Sequence, residues 1–189
     1  MQGRGAGITH AQLREEKKMD RNQLIKKVES WARERGLDRA SYRKQLFKMD
    51  EEALEIIKGH IREDLAEVKD GLGDTYVTVI VLALQLGLDF ESILATVPAL
   101  KQELRVLSTD DKVHRLTFHL HNLEIWTRQG VSKFDLTQEM ADMLDLLRWI
   151  ARDYGWDLEN CLAAAYEVIK NRKGKLVGGV FVKEEDLND

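Results

Sequence analysis

The chain has 189 residues, long enough to bury one core or two small coupled halves without a disulfide or metal staple. Hydrophobic residues make up 43% and charged residues 33%, with one proline against 13 glycines, a balance that excludes disordered and disulfide-rich classes and favours long helices. The net charge of -4 removes the general electrostatic case for nucleic-acid binding, and Cys161, the one cysteine, allows no internal disulfide and suits a cytoplasmic setting.

Residues 1–18 are glycine-rich and then charged, and are expected to form a flexible tail. Gly3, Gly5 and Gly7 lack the preceding strand of a phosphate loop, and Met1 to Lys18 contains no apolar core of signal-peptide length. Arg14-Glu15-Glu16-Lys17, all encodable by purine-only codons, precede Met19 and suggest a translated ribosome-binding site with the natural start at Met19. Helical period begins at Asn22, with Leu24, Ile25, Val28, Trp31 and Ala32 on one stripe and Gly36 as the stop. A second helix is expected from Ser41 to Lys58, ended by Gly59, and a third from Ile61 to Leu86 before Gly87. The third helix is apolar after Tyr76, yet its greasiest stretch, Val77 to Leu88, is too short to cross a bilayer, so it should be buried among other helices.

The second half echoes the first. Gly87-Leu88-Asp89-Phe90-Glu91-Ser92-Ile93-Leu94 aligns with Gly155-Trp156-Asp157-Leu158-Glu159-Asn160-Cys161-Leu162 at an offset of 68, and Leu54-Glu55-Ile56 aligns with Leu123-Glu124-Ile125 at 69. The expectation is an all-α bundle of two degenerate tandem halves, 19–106 and 107–189, packed as a pseudo-dimer. After a helix carrying Leu162, Ala165, Val168 and Ile169, the segment Leu176 to Val182 reads as a short β-hairpin around Gly178-Gly179.

Glu51, Glu52 and Glu55 lie on the second helix, and Glu67, Asp70 and Asp74 on the third, the latter three within a sector of roughly 60°. A solvated acidic face would account for them, but the line of acids runs into Val77, Thr78 and Val81, and solvated faces seldom continue into an apolar seam. Like charges three and four residues apart repel, and a hard cation between the helices would relieve the repulsion. An all-oxygen donor set suits Mg²⁺ or Mn²⁺. His119 and His121, two apart, point to different helix faces and make poor joint ligands. Trp31, Trp126, Trp149 and Trp156 are most simply core or interface residues.

The run Lys44 to Glu55, followed by Asp70-Gly71-Leu72-Gly73-Asp74 and a long apolar helix to Gly87, resembles the MazG-like nucleoside triphosphate pyrophosphohydrolases, whose signature is an ExxE helix followed by an acidic ExxD-type helix. The tail, from Ala165-Tyr166 through Asn171-Arg172-Lys173-Gly174-Lys175 to Asp186, resembles bacteriophage members of that family. The resemblance implies the all-α NTP pyrophosphatase fold, Mg²⁺ (or Mn²⁺) as cofactor, and release of nucleoside monophosphate and pyrophosphate from (deoxy)nucleoside triphosphates. It maps metal ligands onto Glu52, Glu55, Asp70 and Asp74, where Gly71 stands in place of the family's Glu and Glu67 competes with Asp70 as fourth ligand. Glu51, Glu52 and Glu55 take catalytic roles, Glu51 as an outer acid or a base for water. Lys48, Asn171, Arg172 and Lys175 are candidate phosphate partners. In the second half, Leu120 and His121 replace Glu51 and Glu52 while Glu124, Glu139 and Asp142 retain acids, so a second site is expected to be dead. The expected partner is the nucleotide, with no membrane and no specific nucleic acid, and the family's habit of building sites at bundle interfaces leans towards a homo-oligomer. A dUTPase-like or phosphoribosyl-ATP pyrophosphatase-like hydrolase, and a non-catalytic helical interaction protein with a relic site, are the competing readings.

Overall fold

The computed structural model describes residues 20–97, 102–178 and 180–184, so the expectations for the tail and for a start at Met19 lie outside the described residues. Helix α1 spans Arg21–Glu34 and buries the expected stripe of Leu24, Ile25, Val28, Trp31 and Ala32. It ends before Gly36, whose φ of 70° is left-handed and favours glycine. A 3₁₀ turn, Leu37–Arg39, leads to α2, Tyr42–Arg62, and α3, Leu65–Gln85. Then follow α4, Phe90–Thr96; α5, Gln102–Arg105; α6, Thr109–Gln129; α7, Lys133–Asp153; and α8, Leu158–Ile169. Strands β1, Gly174–Val177, and β2, Val180–Lys183, pair antiparallel with Val177 opposite Val180. The fold is all-α with a short C-terminal hairpin, as the sequence pattern indicated, and no helix among the described residues is long and apolar enough to cross a membrane.

The expected break at Gly59 does not occur. Helix α2 runs through it to Arg62, and the chain turns at Glu63, which takes a left-handed φ of 57°. Asp64 then caps α3, accepting from the backbone N–H groups of Ala66 (3.0 Å) and Glu67 (3.1 Å), so α3 starts four residues later than the periodicity suggested. Gly59 is a contact residue instead: a Cβ there would stand 2.8 Å from the backbone nitrogen of Val68. Gly71 answers it from α3, since its Cβ would stand 2.9 Å from the backbone nitrogen of Ile56 and 3.1 Å from the carbonyl oxygen of Glu52. Two small residues thus let α2 and α3 approach backbone to backbone.

The same elements recur 68 residues on. Helix α7 matches α3 in length at that offset, and α6 matches α2 at 67. Gly87 and Gly155, with φ of 63° and 76°, close the two helices alike, Leu88 N–H donating to Ala83 O and Trp156 N–H to Ala151 O, both at 2.9 Å. Asp89 and Asp157 then cap α4 and α8. The packing is reciprocal: α8 lies against α3, α4 against α7, and α2 against α6. Such an exchange is what a two-fold relation between the halves requires. Buried apolar side chains from both halves, among them Leu72, Tyr76, Ile80, Leu144 and Leu147, form one continuous core.

Gly73 sits where α3 meets α8, and its Cβ would stand 2.5 Å from the carbonyl oxygen of Cys161. Backbone cannot yield there as a flexible side chain would, so Gly73→Val is expected to lower unfolding free energy by about 1–3 kcal/mol or more, measured by chemical denaturation. An unchanged midpoint would contradict this packing.

Candidate active site

One cavity of about 620 Å³ opens between α2, α3, α8 and the hairpin. Glu51, Glu52, Glu55, Asp70 and Asp74 all line it. The Gly71 contact explains the convergence: it presses α3 onto the backbone of Glu52 and Ile56, so the acids of two neighbouring helices share one space. A side chain at position 71 would meet the α2 backbone, so the wall at this level is built without one. Glu67 lies 3.8 Å from Arg62 and off the wall, though close enough for its charge to help raise the Glu55 carboxyl, while Asp70, exposed, lines the cavity one turn before Asp74.

Burial makes these charges consequential. Glu52 is only 6% exposed, and Lys48 Nζ reaches its Oε1 at 2.6 Å and the Glu51 Oε2 at 3.1 Å. Asp74 feels less relief. Its carboxyl is pushed up to about 6, first by burial and then by the nearby charge of Glu52, with Glu55 adding and Arg172 and Lys48 opposing. Burial likewise raises the Glu55 carboxyl, again with Glu52 contributing. The pocket therefore carries five carboxylates, which Lys44, Lys48 and Arg172 on the same wall only partly offset.

Of the expected phosphate partners, Lys48 and Arg172 stand on the wall, while Asn171 and Lys175 do not. Asn171 and Lys175 are exposed, and in β1 Lys175 alternates with Leu176, which turns towards Gly36. Trp31, assigned to the core by its helical stripe, lines the cavity together with Leu37, Gln45 and Phe181. No local signal marks these four, because the wall they form needs the C-terminal hairpin to return to α1.

Among the described residues, no three Asp, Glu, His or Cys side chains lie close enough to hold one ion as they stand. The donor set nevertheless fits a hard divalent cation: it is all carboxylate, from buried Glu52 through half-buried Glu55 and Asp74 to exposed Asp70, and short of positive charge, as the raised Asp74 carboxyl records. Glu52, Glu55, Asp70 and Asp74 are the residues that would hold it, with the Lys48 ammonium now standing beside Glu52.

The second half answers differently from the sequence alignment. With α6 beginning 67 residues after α2, the positions of Glu52 and Glu55 fall on His119 and Asn122, not on the His121 and Glu124 that the sequence alignment paired with them. The α7 offset of 68 puts Glu139 opposite Gly71 and Asp142 opposite Asp74. His119 Nδ1 lies 2.7 Å from Glu139 Oε1, and Asn122 Nδ2 donates to the same oxygen at 3.2 Å. Here the buried Glu139 is matched by neighbouring side chains, where in the first half Asp74 stands beside two further carboxylates.

Comparison with known proteins bears on this half of the chain. Residues 16–101 match the family model described as phosphoribosyl-ATP pyrophosphohydrolase, a stretch that includes α1 to α4 and every carboxylate of the cavity. The chain is also 37% identical over 71 residues to an uncharacterized 18.2 kDa protein in the rep-hol intergenic region of Haemophilus phage HP1 (strain HP1c1). That match covers 37% of this chain and 44% of the phage protein, so the chain spans less than half the length of the curated relative it matches. No solved structure matches the chain. The acidic half is thus similar to pyrophosphohydrolases of an all-α type.

The raised Asp74 carboxyl sets a sign for stability. Its folded value of about 6 exceeds the roughly 3.9 of an unfolded aspartate, so the folded state binds the proton more tightly and loses stability as pH rises between those values. Asp74→Asn is expected to raise Tm in EDTA at pH 7.5 and to leave it nearly unchanged at pH 4. A variant less stable than wild type at pH 7.5 would contradict the electrostatic account.

Proposed function

We propose that the cavity hydrolyses (deoxy)nucleoside triphosphates to nucleoside monophosphate and pyrophosphate. The observation that supports this most directly is the convergence of carboxylates from two helices, short of countercharge, in a cavity that also presents Lys48 and Arg172. In this reading Glu52, Glu55, Asp70 and Asp74 hold Mg²⁺, with Mn²⁺ as substitute. The bound cation would neutralise the triphosphate and polarise phosphorus towards a nucleophile. Lys48 exchanges its carboxylate partners for phosphate oxygens, and Arg172 supplies a planar donor fork to the same charge. Water attacks the α-phosphorus, the bond from that phosphorus to the oxygen bridging the β-phosphate breaks, and pyrophosphate leaves with the bond electrons. Glu51, exposed at the rim and not needed as a ligand, accepts the proton lost by the water.

The match to the phosphoribosyl-ATP pyrophosphohydrolase model favours a second substrate reading, in which the same bond is cleaved in a ribosylated ATP. The products of the two reactions separate the readings.

The test is pyrophosphate release from a panel of ribo- and deoxyribonucleoside triphosphates and phosphoribosyl-ATP, with and without Mg²⁺. Release is expected to require the metal and to fall by about 100-fold or more in Glu55→Gln and Asp74→Asn. Mg²⁺ is also expected to raise Tm of the wild type, since a ligand bound only by the folded state stabilises it, and to do so less in Asp74→Asn. Folded wild-type protein that releases no pyrophosphate from any substrate would contradict the proposal.

A further inference from the structure

The carboxylates account for only part of the cavity. Gln45 on α2 lies beside Thr78 on α3, its Nε2 donating to the Thr78 carbonyl oxygen at 3.3 Å. Val81 lies a further turn along α3, and seven residues of helix place it about 10 Å beyond Asp74. Around this stretch the lining becomes apolar, with Trp31 from α1, Leu37 from the 3₁₀ turn, Ile169 from α8 and Phe181 from β2. Protein interiors rarely leave apolar walls unfilled over such a volume, so a wall of this kind opening into a charged cavity fits an apolar moiety attached to an anion.

The aromatic corner is held in place. The Trp31 indole N–H donates to the Ile169 carbonyl oxygen at 2.9 Å, fixing the ring on α8. Trp31 and Phe181 lie 6.2 Å apart between ring centroids, tilted by 59°. The Arg35 guanidinium lies over both, 5.0 Å from the Trp31 centroid and 5.9 Å from that of Phe181, and its Nη2 donates to the Arg172 carbonyl oxygen at 2.8 Å. Lys44 Nζ donates to the Gly178 carbonyl oxygen at the hairpin turn. One arginine therefore ties together the indole, the hairpin ring and the backbone of the residue that faces the acids.

We infer that this corner is a nucleobase subsite, with Phe181 and Trp31 as its aromatic wall and Gln45 as the residue that reads the base edge. Resting on the proposed triphosphate hydrolysis for its ligand, it assigns the specificity end of the same cavity. With one N–H spent on Thr78, the Gln45 amide offers its oxygen and a second N–H, an adjacent acceptor and donor that match the paired donor and acceptor on a base edge. The C-terminal hairpin, whose Phe181 completes the wall, becomes a substrate-binding element and not merely a tail. Sugar and phosphates then run down α3 towards Asp74.

The subsite is tested apart from catalysis. Nucleoside monophosphates, ribose 5-phosphate and Mg²⁺-pyrophosphate are titrated by calorimetry into wild type, Phe181→Ala and Gln45→Leu, the monophosphates in EDTA. At least one monophosphate is expected to bind wild type more tightly than ribose 5-phosphate and to lose about 10-fold in affinity in Phe181→Ala, the scale of one base–aromatic contact. Gln45→Leu, on a different element from the hairpin, is expected to change the ranking among bases. Pyrophosphate affinity is expected to stay the same in both variants. Equal affinity for ribose 5-phosphate and every monophosphate, or monophosphate binding unmoved by both substitutions, overturns the subsite whether or not the protein hydrolyses triphosphates. Base-dependent binding by a protein that releases no pyrophosphate would sink the hydrolase and leave the subsite standing.

Discussion

The close approach of α2 and α3 is the constraint on which the rest depends. Gly59 and Gly71 remove the side chains that would hold the two backbones apart, and the Gly71 position sits directly on the carbonyl of Glu52. At that separation Glu52, Glu55 and Asp74 are drawn out of solvent, unlike acids on isolated helices, and partial burial weakens the screening between them, while Asp70 stands exposed at the edge of the same cavity. Asp74 shows the outcome, holding its proton until about pH 6. Lys48 and Arg172 relieve the repulsion without cancelling it. A chain that keeps such a locally unfavourable cluster in a cavity has a site shaped for added positive charge, which a divalent cation and its phosphate ligand would complete together.

The second half supplies an internal comparison. Its α6–α7 pair repeats the lengths of α2 and α3 and the left-handed glycine that follows the second helix, yet His119 and Asn122 stand where Glu52 and Glu55 stand in the first. Both bond to the buried Glu139, so that acid is matched by its neighbours. The scaffold thus forms without an ExxE pair, and the acids of the first half are not there to make the hairpin fold. What the second half contributes is packing: α8 on α3 carries Ile169, to which Trp31 is bonded, and leads through Arg172 into the hairpin that bears Phe181.

Local patterns in the sequence were enough for the α1 stripe, the acidic pair on α2, the apolar run of α3 and the hairpin at Gly178. Each is written in residues a few positions apart, where periodicity and turn chemistry act. Gly59 was misread because glycine serves both as a helix stop and as a close-contact residue, and only the neighbouring helix distinguishes the uses. The α6 register is hidden because the turn from α6 to α7 is one residue longer than that from α2 to α3, so the offset changes within the repeat and the short identity at Leu123 sets the alignment two residues off. Trp31 reads as core from its stripe, and its place in the cavity depends on Ile169 and Phe181, well over a hundred residues away. Asn171 and Lys175 belonged to a basic run whose members a turn and a strand send in different directions.

The central claim is that the carboxylates of α2 and α3 hold a divalent cation against a triphosphate. Anomalous scattering from crystals of the protein grown with Mn²⁺ and an α,β-imido nucleoside triphosphate tests it most directly. The account predicts a manganese peak among Glu52, Glu55, Asp70 and Asp74, touching phosphate oxygens; nucleotide bound with no manganese at those carboxylates would contradict it.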